Sequence, residues 1–187
     1  GSVTASTAPA CRVITAMVTP FDDRGGLDLD GAARLAQWLT ENGSDGLVLA
    51  GTTGEGPALG EAEVVARTRR VREAVSVPIL VGTGTNDTAK TVELTKRVSD
   101  TGIQGVLVVT PYYSRPSQAG LADHFGTVAD STDLNVVLYC KTSGRVIASS
   151  ARLRRNAIKS SLKRAVRSSR SYPMDNEPAS LFSDPFS

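Results

Sequence analysis

The amino-acid sequence predicts an α/β fold of repeated strand–helix units around a single core. Three observations carry that expectation. Short runs rich in Val, Leu and Ile recur along residues 12–139, and none alternates strictly with polar residues. Such runs suit strands buried on both faces of a parallel sheet. Amphipathic stretches of helical length lie between them. One unit also repeats: Gly43-Ser44-Asp45-Gly46-Leu47-Val48-Leu49 is echoed 59 residues later by Gly102-Ile103-Gln104-Gly105-Val106-Leu107-Val108. Each copy reads as a helix stop, a short turn and a buried strand. Repetition at this pitch predicts a (β/α)8 barrel or a doubly wound sheet.

In chain order, strands are expected at 13–18, 46–50, 78–81, 105–109 and 135–139, with helices at 30–41, 61–74, 88–100 and 117–131. In the first helix Leu35, Trp38 and Leu39 stand at i, i+3 and i+4, which puts them on one face and makes Trp38 a packing residue. Gly43 and Gly102 are natural C-terminal stops. Asp87 or Thr88 can cap the third helix. His124, the only histidine, has polar neighbours in the fourth helix and is expected on a solvated face.

The chain divides into a lead (1–11), a partial βα barrel (12–139) and an atypical tail (140–187). The net charge of +2 hides a split: residues 1–139 hold eleven Lys and Arg against sixteen Asp and Glu, and the tail holds ten against three. The tail also has eleven Ser in 48 residues and a single Gly, Gly144. Its composition predicts solvated or disordered chain, with residues 151–166 a candidate basic helix.

With 187 residues the chain suffices for one core but is short for two domains. It contains no apolar run long enough to span a membrane, and the lead lacks a signal pattern. Cys11 and Cys140 lie far apart without C-x-x-C spacing, which argues against a disulfide framework or zinc site and fits the cytoplasm. One His and no acidic cluster at ligand spacing give no metal site. A basic tail can mean nucleic acid, but aromatics there are confined to Tyr172, Phe182 and Phe186, so neither nucleic acid nor membrane is an expected partner.

In parallel βα folds chemistry gathers where strands end. After the second strand come Gly51-Thr52-Thr53-Gly54-Glu55-Gly56. Two hydroxyls on a Gly-flanked turn with free N–H groups suit a small carboxylate; an ordinary turn with hydroxyls bonded to backbone is the plainer reading. No Lys-Ser/Thr follows, so it is not a P-loop. After the third strand, Gly82-Thr83-Gly84-Thr85-Asn86-Asp87 fails the dinucleotide fingerprint because Asp87 occupies the third glycine position. That failure argues against a nucleotide-binding doubly wound domain and leaves a tight strand-to-helix turn. After the fourth strand, Tyr112 and Tyr113 sit on a Pro-bracketed loop, suited to proton relay or to an aromatic interface. Tyr139 ends the fifth strand, where its phenol either reaches the same mouth as an acid/base or bonds a carbonyl in the core.

Taken in order and spacing, Gly51-Thr52-Thr53-Gly54-Glu55, Gly82-Thr83-Gly84, Thr110-Pro111-Tyr112-Tyr113-Ser114-Arg115-Pro116-Ser117-Gln118 and Leu138-Tyr139, with the early Val18-Thr19-Pro20-Phe21, resemble the dihydrodipicolinate synthases, pyruvate-dependent class I aldolases. The resemblance covers residues 12–139. The paired tyrosines favour this member over sister pyruvate lyases such as N-acetylneuraminate lyase, which stays as the alternative. The resemblance implies a (β/α)8 TIM barrel, here with about five βα units. It implies condensation of pyruvate with L-aspartate 4-semialdehyde through a lysine Schiff base, giving 4-hydroxy-tetrahydrodipicolinate for lysine biosynthesis by the diaminopimelate route. No cofactor is implied. By the same analogy Thr53 holds the pyruvate carboxylate, and Thr52, Tyr113 and Tyr139 relay protons. Tyr113 reaches into a neighbouring subunit, so a homo-oligomer, dimer or tetramer, is implied.

The match falters after Tyr139. The family continues into a hydrophobic-Pro-small-Arg segment that binds the second substrate; here Cys140-Lys141-Thr142-Ser143-Gly144-Arg145 follows, and Arg145 stands in with a one-residue slip. The Schiff-base lysine is due 28 residues after the Tyr, where Arg167 stands; a guanidinium does not shed its proton to become a nucleophile. Lys159, in Ala157-Ile158-Lys159-Ser160, faintly echoes the expected strand but comes eight residues early; Lys163 has no such context. The expectation is an incomplete, poorly active copy of the enzyme whose tail is an out-of-frame or spliced reading. A non-catalytic relative that joins full-length subunits is the competing reading.

Overall fold

The computed structural model describes residues 13–112, 116–140 and 145–150. The elements run β1 (Ile14–Ala16), α1 (Leu29–Glu41), β2 (Gly46–Leu49), α2 (Glu61–Ala74), β3 (Ile79–Gly82), α3 (Thr88–Ser99), β4 (Gly105–Val109), α4 (Gln118–Asp130), β5 (Asn135–Cys140) and β6 (Arg145–Ser150), with a 3-10 turn at Gly56–Ala58. All nine expected elements are present. The first strand is shorter than expected, three residues long.

The six strands make one sheet in sequence order, β1-β2-β3-β4-β5-β6. Neighbours from β1 to β5 are parallel, which requires each connection to cross over, and α1 to α4 supply the crossovers. Sequential parallel order with a helix between strands is the wind of a barrel; a doubly wound sheet would reverse order at a switch point.

β6 breaks the pattern. It pairs antiparallel with β5, Cys140 opposite Arg145 and Val136 opposite Ser150, with a register shift between Leu138 and Tyr139. Only residues 141–144 join the two strands, a hairpin length; a parallel return needs a dozen residues or more. Sheet pairing therefore extends past Tyr139, where the sequence suggests that the barrel-like part stops. The candidate basic helix at 151–166 lies outside the described residues, as does the lead.

Burial separates the two sheet faces. Leu47, Leu49, Ile79, Val81, Val106, Val108, Val136 and Leu138 alternate along β2 to β5 and pack with Ala32, Ala36, Val64, Val71, Leu94, Val98, Phe125 and Val128 of the helices. Of their alternates, Val48, Leu80, Leu107 and Val109 are only half-buried, while Val137 of β5 is buried. The expectation of strands buried on both faces thus holds on the helix-covered face. Among the described residues the sheet is open between β1 and β6, so no opposing strand covers the other face.

Local chemistry sets the helix ends. The Asp28 carboxylate accepts the Gly31 N–H at 2.7 Å and starts α1; Asp87 accepts the Lys90 N–H at 3.1 Å and starts α3, which satisfies donors that a helix leaves orphaned. Gly43 and Gly102 follow α1 and α3 with positive φ, as expected of C-terminal stops.

Two expectations are corrected. Trp38 is 58 % exposed; the buried stripe of α1 is Ala32, Ala33 and Ala36. Small residues let α1 lie close to the sheet, and the stripe they define is rotated away from Trp38. His124 is 6 % exposed, not solvated. It packs edge-on to Phe125 and shares a 2.7 Å hydrogen bond between Nδ1 and the Thr88 hydroxyl, because α4 turns this face against α3.

Candidate active site

In a parallel sheet every strand presents its C-terminal end at the same edge. The tips of β2, β3, β4 and β5 therefore bring residues 50–56, 82–87, 110–112 and Tyr139 to one rim. Adjacent strands lie about 4.8 Å apart, so β2 and β5 tips would stand roughly 14 Å apart in a flat sheet; barrel curl shortens that chord and turns the concave-face side chains toward one another.

Residues 51–55 form a tight turn. The N–H groups of Glu55 and Gly56 donate to the carbonyls of Thr52 and Gly51, each at 3.1 Å. Thr52 and Thr53 are exposed. Among the described residues neither hydroxyl has a hydrogen-bond partner, and no carbonyl accepts from the N–H of Thr52, Thr53 or Gly54. Hydroxyls tied back to backbone, the plainer reading of the sequence, are not what the structure has. Unclaimed N–H and O–H donors on one turn are the groups that an anion needs.

The backbone around this turn is crowded. Ala50 and Glu55 both have φ of 53°, left-handed values that side-chain-bearing residues seldom adopt. A Cβ on Gly56 would meet the Ala50 carbonyl oxygen at 2.1 Å, and one on Gly82 would meet the same oxygen at 2.3 Å. β3 and the turn are thus wedged together through one oxygen of β2's tip. Gly82-Thr83-Gly84-Thr85-Asn86-Asp87 is a strand-to-helix turn capped by Asp87, as its sequence suggests.

Beneath the turn lies a polar relay that the sequence reading missed. Thr19 is buried, and its hydroxyl donates to the Gly54 carbonyl. The Arg67 guanidinium donates in turn to the Thr19 hydroxyl through Nη1. Arg67 is wholly buried, and its Nε and Nη2 have no partner among the described residues. Burial lowers its pKa to about 10, so it keeps its charge at neutral pH. A signal for it existed: the buried positions of α2 are Val64, Arg67, Thr68 and Val71, at i, i+3, i+4 and i+7.

Tyr139 is half-buried, alternating with the helix-facing Leu138 and paired across the sheet with Val109. Its carbonyl accepts the Thr110 N–H at 2.9 Å, tying the tips of β4 and β5. Tyr112 is half-buried beside them. Tyr113 lies outside the described residues, as do Lys159, Lys163 and Arg167. Arg145 opens β6, its backbone opposite Cys140. Among the described residues no group of His, Cys, Asp or Glu is arranged to hold a metal ion, and no helix is long and apolar enough to cross a membrane.

Comparison with known proteins agrees with this architecture. The family model for the dihydrodipicolinate synthetase family matches residues 9–167. The chain is 55 % identical over 134 residues to the 4-hydroxy-tetrahydrodipicolinate synthase of Acidothermus cellulolyticus, covering 71 % of this chain and 44 % of that protein. It is 52 % identical over 130 residues to the enzyme of the same name from Moorella thermoacetica, again covering 44 % of the relative. Among solved structures, a dihydrodipicolinate synthase from Bacillus anthracis superposes with a TM-score of 0.69 at 42 % identity, covering 74 % of this chain and 48 % of that one. The chain thus spans about half the length of the relatives it matches. Strands β1 to β5 form part of a TIM barrel, and the chain belongs to the dihydrodipicolinate synthetase family.

Proposed function

We propose that residues 13–140 carry the pyruvate side of a 4-hydroxy-tetrahydrodipicolinate synthase site. The observation that carries this reading is the 51–55 turn, with exposed Thr52 and Thr53 hydroxyls and N–H groups that no described residue claims, at the same sheet edge as Tyr139. In this reading Thr53 and the turn's N–H groups bind the pyruvate carboxylate. A lysine amine forms a Schiff base at the keto carbon, water leaves, and loss of a methyl proton gives an enamine that attacks the aldehyde of L-aspartate 4-semialdehyde. Thr52, Tyr113 and Tyr139 pass the protons; a phenol with a pKa near 10 needs such partners to do so quickly at neutral pH. Arg145 is assigned to the second substrate. The same reading makes the protein a lyase of lysine biosynthesis by the diaminopimelate route in the cytoplasm, assembled as a dimer or tetramer in which Tyr113 completes a neighbour's site.

Carboxylate binding and covalent chemistry separate experimentally. Pyruvate should bind the full chain, followed by 13C shifts of the ligand, and Thr53→Val should weaken it about tenfold, as expected for loss of a charge-assisted hydrogen bond. Equal affinity in Thr53→Val would sink the assignment of the turn. With Arg167 where the family places its lysine, this chain alone should show little or no synthase activity. Borohydride reduction with pyruvate should then leave its mass unchanged; a stoichiometric adduct on Lys159 or Lys163 would overturn that expectation.

A further inference from the structure

Arg67 heads the largest fully buried side chains of the described residues, and none of the ion pairs among them involves it. An unpaired buried guanidinium is costly, and an apolar residue in the Val64–Val71 stripe would avoid the cost. Its position explains what it reaches. Helical side chains lean toward the helix N-terminus, so a long side chain at position 67, two turns into α2, extends up to the rim where β1 and β2 end. There its proton goes to Thr19. A guanidinium only donates and a threonine has one proton, so the direction is fixed: Arg67 to Thr19, Thr19 to the Gly54 carbonyl. A charged donor at the head of such a chain strengthens the bond after it. The Gly54 carbonyl stands between Thr53 and the left-handed Glu55, so holding it fixes the corner that aims the turn's donors.

We propose that Arg67 is the positioning residue of the 51–55 turn: through Thr19 it holds the Gly54 carbonyl, and its buried charge, without a carboxylate partner among the described residues, biases the turn toward an anionic ligand. The second half rests on reading the turn as the pyruvate carboxylate site. An anion seated there would offset the charge that the core leaves uncompensated.

The test uses the full chain with Arg67→Met, Arg67→Lys, Thr19→Val and the Arg67→Met/Thr19→Val double variant. Amide spectra without ligand should show Arg67→Met and Thr19→Val displacing the same resonances, Gly54 and Glu55, with the double variant adding nothing and Arg67→Lys restoring part of the shift. Arg67→Met should keep or raise Tm, because removing an uncompensated buried charge is neutral or stabilising. Its pyruvate affinity should nonetheless fall about tenfold, while affinity for the uncharged amide of pyruvate stays unchanged. A lower Tm with the turn's amides at wild-type positions would make Arg67 purely structural and overturn the proposal. Should Arg67→Met not fold, Thr19→Val decides the same point. If the wild-type chain binds no pyruvate, the functional reading above fails, and the amide shifts still judge the role of Arg67.

Discussion

His124 has a buried ring with one nitrogen bonded to Thr88 and the other, Nε2, unpartnered among the described residues. In either tautomer one ring atom therefore goes unsatisfied. Burial disfavours the imidazolium and lowers the pKa from 6.5. The consequence for stability has a definite sign. Above pH 6.5 the ring is neutral in both states, and its burial costs no protonation energy. As pH falls through that value the unfolded chain takes up a proton that the folded chain resists, so unfolding is favoured. Tm should therefore drop between pH 7 and 5, before most carboxylates titrate, and His124→Phe should flatten that slope. An unchanged slope in the variant would show that His124 is not the group responsible. The sequence misled here because a lone imidazole beside the charged Asp123 reads as surface, and only the packing of α4 on α3 decides which of the two is inside.

At the scale of elements, the helices were legible because both of their signals are local. The apolar stripes recur at helical spacing, and the Asp28 and Asp87 carboxylates accept backbone N–H groups in the first turns of α1 and α3. Asp87→Ala should cost about 1 kcal/mol by denaturant midpoint, the usual worth of a helix N-cap. The exposed ion pair of Arg97 with Glu61, at 2.8 Å, should contribute less, and Arg97→Gln should stay within about 0.5 kcal/mol of wild type. A larger loss for Arg97→Gln than for Asp87→Ala would reverse that ranking. β6 was not legible in the same way. Its direction depends on how few residues lie between Cys140 and Arg145, not on the character of its side chains. Arg67 was legible in principle, since its spacing from Val64 and Val71 matches the buried stripe. A charged side chain masks such a signal until its partner Thr19, 48 positions away, is seen.

Across the whole molecule, the sheet has two unlike faces. Leu47 is fully buried against the helices, whereas Leu80, on the adjacent strand's opposite face, is half-buried. Leu47→Ala should cost roughly 2–5 kcal/mol, in the range for a core truncation, and Leu80→Ala clearly less. Equal losses by calorimetry would show that the concave face is as well packed as the convex one. The candidate site draws on both scales. Thr52, Thr53 and Tyr139 were placed at one rim by the rule that parallel strands end together, which the sequence supports through its repeated strand–helix pitch. The buried relay under the turn is set by packing, because it joins β1's exit to the turn and to α2, which lie 35 and 48 positions further along the chain.

The Ala50 carbonyl oxygen touches the space where side chains at 56 and 82 would begin. Evolutionary drift at those two positions is consequently not independent. A methyl group introduced at either one pushes on the same atom, and moving that atom away from one newcomer changes the room left for the other. The tip of the second strand acts as a shared bearing surface for its neighbours, and any lineage that loses either glycine must reshape the mouth of the protein as well as one bend of its chain.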